Sequence, residues 1–320
     1  MRRISGVILI IVVAIGLFII GRHSPFGAVN SVFHVKNTDK VTRILIMKEN
    51  ETVELENEPD GWQVNGKYTV RPSAMQSILR MIGDIRIKSP VSESIFNSIT
   101  INNNTQLVEV KIFGGRRLVQ SFLIYRHTSP EFPCIMQKRK NRKPFFVHIP
   151  GYETDPGMYF VADEKYWRSN TVFELRPEKI EEIHLKYFET PDSSFTILFK
   201  GREILFTGGK NNKEDIDTMA TGRYLSYFTY VPLESWVPDM SRVARDSITK
   251  ATPYFKLNVL SSDQDTISLL IWVRRMKDRD SMVEDTDRLW GSLNGGEDLF
   301  IIKYYYLDPL IKGPSYFISD

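Results

Sequence analysis

Residues 137–146, "QKRKNRKPFF", place five cations, Lys138, Arg139, Lys140, Arg142 and Lys143, within six positions and follow them with two phenylalanines. The chemistry open to such a cluster is to hold an anion, through charge and through N–H donors that no adjacent acid neutralises. Between Gln106 and His148 nine Lys and Arg residues stand against Glu109 and Glu131, a net charge of +7. The whole chain is only +3, so everything outside this stretch is net −4. The positive charge is therefore local. No nucleic-acid module accompanies it, so nucleic acid is not the expected partner; an anionic lipid, an envelope polymer or an acidic protein surface is. The plainer reading is a solvated β-connection that carries charge because it sits in water.

The other chemistry-bearing residues are sparser. His23, His34, His127, His148 and His184 show no metal-ligand spacing, although His127 and His148 flank the basic loop and are expected at adjacent strand ends. "GGK" at 208–210 lacks the upstream glycine and the Ser or Thr of a phosphate-binding loop. "DRDSMVEDTD" at 278–287 gathers Asp278, Asp280, Glu284, Asp285 and Asp287, but without the central glycine that a calcium loop needs for its turn, and it reads as a solvated loop. Glu181 and Glu182 are the carboxylates one would nominate for an envelope hydrolase acting on polysaccharide or peptide. Consecutive strand residues face opposite ways, so these two would not converge on one bond. No catalytic residue, cofactor or metal is assigned on this reading, and a binding or scaffold role is favoured over catalysis.

The elements that must position the loop follow from periodicity. "TRILIM" (42–47) and "TVEL" (52–55) read as strands, with Val53 and Leu55 on one face. "GWQVNGK" is a turn. "RPSAMQSILRMIGD" sets Met75, Ile78, Leu79 and Ile82 at helical spacing, with Pro72 suited to a first turn and Gly83 to a C-terminal cap. Then come "VEVKIF", a glycine turn at Gly114 and Gly115, "RLVQSFLIY", the basic loop and "FFVHI".

The same order restarts near residue 180. "EEIHLKYF" and "SFTILF" match the first two strands, "GRYLSYF" stands for the helix and "TYVPLES" for the segment "IRIKSPVSES". "FKLNVL" and "TISLLIWVRR" repeat the hairpin, and "LFIIKYYYL" (299–307) closes the unit as a strand. The implied architecture is an internal duplication. In that alignment the acidic 278–287 stretch takes the place of the basic loop, which suggests contacts between copies through oppositely charged loops.

At the N-terminus Arg2 and Arg3 precede Ile4–Ile20, seventeen residues without charge, and Arg22 follows. Such a run spans about 26 Å as a helix, near the lower limit for crossing a bilayer. It exceeds a usual signal core, and "GRHSPFG" offers no small-x-small cleavage site, so an uncleaved anchor is expected. The paired arginines keep the short N-terminal side cytoplasmic. The lone cysteine, Cys134, excludes both a lipidated cysteine beside the anchor and an internal disulfide.

The stretches "VTRILIMKENETVELENEPDGWQVNGKYTVRPSAMQSILRMIGDIRI" and "GYETDPGMYFVADEKYWRSNTVFELRPEKIEEIHLKYFETPDSSFTILFKG" resemble the membrane-anchored bacterial family known as domain of unknown function 4340. Some proteins of that kind are found beside ABC-type export and surface-motility components, so the resemblance implies an envelope role. It supplies no catalytic residues.

The expected protein is thus α+β: a cytoplasmic tail (1–3), a transmembrane anchor (4–21), and two repeated units of antiparallel sheet with a packed helix (22–160 and 161–320). It would sit in the bacterial inner membrane as a single-pass protein with its ectodomain periplasmic or extracellular. Its partners would be the membrane, through residues 4–21, and an envelope protein or anionic lipid or polymer.

Overall fold

The computed structural model describes residues 32–102, 105–127, 132–201, 203–209, 216–263, 265–278 and 281–318. The expected anchor at 4–21 lies outside the described residues. Among those described, no helix is long and apolar enough to cross a membrane. The chain is α+β, with mostly antiparallel strands and few helices. It divides between Ser169 and Asn170 into two compact units.

The first unit comprises β1 (Arg43–Lys48), β2 (Glu51–Glu58), β3 (Gly61–Val64), β4 (Tyr68–Thr69), α1 (Pro72–Asp84), β5 (Arg86–Pro90), α2 (Glu93–Asn102), β6 (Gln106–Gly114), β7 (Arg117–Arg126), β8 (Ile135–Gln137), β9 (Phe145–His148) and a short α3 (Glu164–Trp167). Its nine strands form one sheet in the order β4-β3-β2-β1-β6-β7-β8-β9-β5. Alternation builds the core. Ile44, Ile46, Val53, Leu55, Val108 and Val110 all point to the face that α1 covers with Met75, Ile78 and Ile82. Ile135 belongs to a second apolar cluster with Ile99 of α2, while its neighbour Met136 belongs to the first. The two helices therefore cover opposite faces of the sheet.

Gly83 lies inside α1, whereas a C-terminal cap was expected there. The helix is closed instead by Ile85 in extended conformation, its N–H donating to the Met81 carbonyl. Glycine fits position 83 for another reason: a Cβ there would approach Thr38 Cγ2 to 3.3 Å. The unit also runs nine residues past the expected boundary at 160. Phe160 and Trp167 are buried in its core, the Trp167 carbonyl accepts from Arg71 N–H at 2.7 Å, and the indole Nε1 donates to Val161 O at 2.7 Å.

The second unit contains β10 (Thr171–Phe173), β11 (Ile180–Tyr187), β12 (Phe195–Lys200), β13 (Glu203–Gly208), α4 (Thr218–Ser226), β14 (Val231–Pro232), β15 (Ser235–Trp236), α5 (Arg242–Thr249), β16 (Phe255–Ser261), β17 (Thr266–Asp278), β18 (Ser281–Leu293), β19 (Leu299–Lys303) and α6 (Tyr304–Leu307). Its main sheet runs β13-β12-β11-β16-β17-β18-β19-β15, while β10 pairs only with β14. Strand for strand this is the order of the first sheet without β4. The helices follow suit: Tyr224 of α4 packs with Ile271 on one face, and Ile248 of α5 with Trp272 on the other. The "YYY" run does not extend the closing strand, since β19 ends at Lys303 and Tyr304 opens a helical turn.

Candidate anion-binding groove

The basic loop joins β8 to β9. Its geometry begins one hairpin earlier, where β6 turns into β7 through Gly115 (φ +57°) and Arg116. Phe113 pairs with Leu118 while Ile112 pairs with Gln120, so Val119 is an extra, bulged residue. The bulge breaks the alternation. Leu118 and Val119 are both about half exposed (48%), and Gln120 is turned inward and buried.

Two buried glutamines then fix the loop. Gln120 Nε2 donates to the carbonyls of Val32 (2.9 Å) and His34 (3.3 Å), and its Oε1 accepts from Lys138 Nζ. Gln137, only 3% exposed at the end of β8, accepts at Oε1 from the Tyr125 hydroxyl (2.7 Å) and donates from Nε2 to the Arg142 carbonyl across the loop. Arg142 N–H closes a turn onto Arg139 O (3.2 Å), Asn141 takes the left-handed conformation (φ +63°), and Val91 N–H holds the exit at Pro144 O (3.0 Å). The loop is thereby preorganised.

The result is a groove of about 520 Å³ whose lining includes Lys138, Arg139, Arg142 and Lys143 together with Leu118, Val119 and Phe145. Four of the five sequence-identified cations thus share one concavity, and Lys140 stands outside it. Among the described residues none of the five has an ion-pair partner. Partial burial, and then the Arg139 cation beside it, hold the Lys138 ammonium below its usual 10.5. A bound anion would relieve that repulsion. Nothing in the sequence alone marked Gln120 and Gln137. The available signal was a glutamine within or at the end of an apolar run, in "LVQSFLIY" and in "CIMQ" just before the charges.

The arrangement predicts a separation of shape from charge. Gln137→Ala should cost about 1–3 kcal/mol, because the Arg142 carbonyl and the Tyr125 hydroxyl lose their partner. It should also weaken anion binding although no charge is removed. Thermal unfolding and a binding titration on the same preparation check both; unchanged affinity would show that loop shape is irrelevant.

The remaining candidates are not brought to this groove. His127 and His148 are not on adjacent strands: His127 directly follows β7 and His148 ends β9, with β8 between those two strands, a separation of about 9–10 Å in backbone. His127 Nε2 meets the Pro133 carbonyl at 3.2 Å. Among the described residues no three His, Cys, Asp or Glu side chains are grouped to hold a metal. Gly208 is accounted for by packing, since a Cβ there would lie 2.6 Å from Phe195 Cβ; Lys210 falls outside the described residues. Glu181 is exposed and Glu182 half-buried on successive positions of β11. Cys134 is buried, which pushes its thiol pKa well up.

In its described residues the acidic stretch is strand rather than solvated loop, and it is not the counterpart of the basic loop. The basic loop connects β8 and β9, whose equivalents are β18 and β19; Glu284, Asp285 and Asp287 instead lie in β18, where Glu284 pairs with Arg275 of β17 and Asp285 and Asp287 sit in the irregularity between Glu284 and Leu289. Asp285 is buried and ion-paired with Arg274, and its Oδ1 accepts from the N–H groups of Asp287 and Arg288 at 3.0 Å each. Burial opposes its charge, but those two N–H groups and the guanidinium outweigh it, so its pKa falls below 3.8. A depressed carboxylate stabilises the fold above its unfolded pKa and loses that contribution as pH falls through the folded value. The second unit should therefore lose stability below about pH 4, and Asp285→Asn should flatten that acid limb in thermal melts.

A second concavity, about 660 Å³, lies in the second unit among Tyr227, Tyr230, Tyr304, Tyr305 and Tyr306. Tyr230 and Tyr305 are 60% and 77% exposed. Its one carboxylate is Asp308, 3.8 Å from Lys312 Nζ, so it is aromatic where the first groove is cationic. No family model matches the chain, and neither curated proteins nor solved structures provide a match.

Proposed function

We propose that this chain is a membrane-anchored envelope binding or scaffold protein that uses the β8–β9 groove to hold an anionic partner, in the service of an ABC-type export or surface-motility complex. The observation that carries the reading is the convergence of four cations, without acid partners among the described residues, in one groove fixed by buried glutamines. A structural role would favour pairing such charges, and an isolated solvated loop would have no need of the Gln120 and Gln137 clamps. The uncharged run Ile4–Ile20 supports single-pass anchoring in the inner membrane with residues 22–320 on the far side. Matching strand orders support duplication of one ancestral unit. The likeness to the domain-4340 family supports the export or motility context, and rests on residues 41–87 and 151–201.

The test is co-purification from detergent-solubilised membranes of the native chain and of one with Gln at Lys138, Arg139, Lys140, Arg142 and Lys143. Partners or lipids retained by the native chain at low salt, and absent from the variant and from high-salt washes, support the reading. An identical set from both would remove it.

A further inference from the structure

We infer that the anion held by the β8–β9 groove is the headgroup of an acidic phospholipid in the same bilayer that holds residues 4–21, an inference that rests on the anchored reading above. Three observations converge on a lipid. The groove is lined by cations and by aliphatic side chains together, since the bulge in β7 exposes Leu118 and Val119. Cations beside projecting aliphatic side chains suit an amphiphile, whose headgroup meets the charges while its acyl boundary meets the hydrocarbon. A soluble polyanion has no use for those aliphatics.

The exposed Arg116 and Arg117 directly precede those aliphatics and extend the cationic rim. The β6–β7 turn thus presents "RRLV" as one projecting edge.

The decisive observation is the tether. The chain leaving the apolar run is pinned to the back of the groove: Gln120, whose Oε1 accepts from Lys138, holds the Val32 and His34 carbonyls with its other end, and Phe33 packs against Phe122 and Phe145. Eleven residues, hence twelve Cα-to-Cα steps, separate Ile20 from Val32. Fully extended they reach about 40 Å, so the groove stays within that distance of the headgroups. Tethering keeps the local lipid concentration high without any added contact.

The test uses the full chain in lipid nanodiscs, with a fluorophore on Cys in a Lys140→Cys variant. Lys140 does not line the groove, and buried Cys134 does not compete for the label. Discs are made of phosphatidylcholine alone or with phosphatidylglycerol, each doped with headgroup-nitroxide lipid as quencher. The expected result is strong quenching in acidic discs and little in neutral ones. Lipid association should weaken about fivefold for each of Lys138, Arg139, Arg142 and Lys143 changed to Gln. Leu118→Ser with Val119→Ser should weaken it further while leaving the charge dependence in place.

A chain that enters discs but shows equal quenching in both overturns the lipid inference and leaves anchoring standing. A chain that does not enter discs overturns anchoring and the inference with it. Loss of quenching on adding inorganic phosphate at constant ionic strength would reassign the groove to a free phosphate, which also overturns it.

Discussion

A chain carrying glutamine at Lys138, Arg139, Arg142 and Lys143 is expected to melt where the native chain melts and to bind acidic lipid about a thousandfold more weakly. The magnitude follows from about 1 kcal/mol for each basic residue at an anionic surface. The unchanged stability follows from the structure. None of these side chains has an ion-pair partner among the described residues, and Arg139, Arg142 and Lys143 are exposed. Lys138 does donate to Gln120 Oε1 and, at 3.4 Å, to the Ser121 carbonyl, and glutamine keeps donors for them. Relief of like-charge crowding acts in the stabilising direction. Binding by the native chain should also fall with added salt, because the Debye length shrinks to roughly 3 Å at 1 M. Lipid titrations beside thermal melts separate the two quantities. A variant that unfolds, or that binds as before, would show that these cations serve the fold or nothing.

The second large effect concerns the fold of the second unit. Gly291 lies in β18 between Ile271 of β17 and Phe300 of β19, and the fully buried Phe300 ring folds over its Cα. A Cβ at 291 would lie 2.4 Å from Phe300 Cε2, 2.5 Å from Cζ and 3.1 Å from Ile271 Cδ1. Phe300 also packs edge-on against Trp236 at 5.6 Å, so the ring has no free direction in which to retreat. Gly291→Ala should therefore cost about 3 kcal/mol, the upper part of the usual range for overpacking. For a unit of this size that is a fall of roughly 10 °C in melting temperature. Phe300→Leu made together with Gly291→Ala should cost less than the sum of the two single changes. A melting temperature unchanged by Gly291→Ala, or strict additivity in the pair, would contradict the close approach.

Much of the architecture was legible because it is written in periodicity. β1, β2, α1, the β6–β7 and β16–β17 hairpins and the restart near 180 all carry apolar residues at the period of their element. The helices α2 and α5 were not legible. "ESIFNSITIN" is crowded with β-branched residues, and "RVARDSIT" offers only Val243 and Ile248 as large apolar side chains; both are helical because they cap the second face of a sheet. The acidic stretch looked like a loop because exposed strand edges carry charge too. What places it in a strand is the thirteen-residue length of β17 and β18, which composition does not reveal. At the site the cations were plain in the sequence. The groove was not, since it depends on a one-residue bulge and on two glutamines whose partners are up to 88 positions away.

Thermal unfolding of the full chain in neutral detergent, with and without acidic-phospholipid micelles, asks whether the native fold binds an anionic lipid through these cations. A ligand that binds only the folded state raises its stability in proportion to the logarithm of saturation. The melting temperature of the native chain should rise, and the rise should disappear at high salt and be absent when Lys138, Arg139, Arg142 and Lys143 are glutamine. The same shift in both chains, or no shift in either, would contradict it.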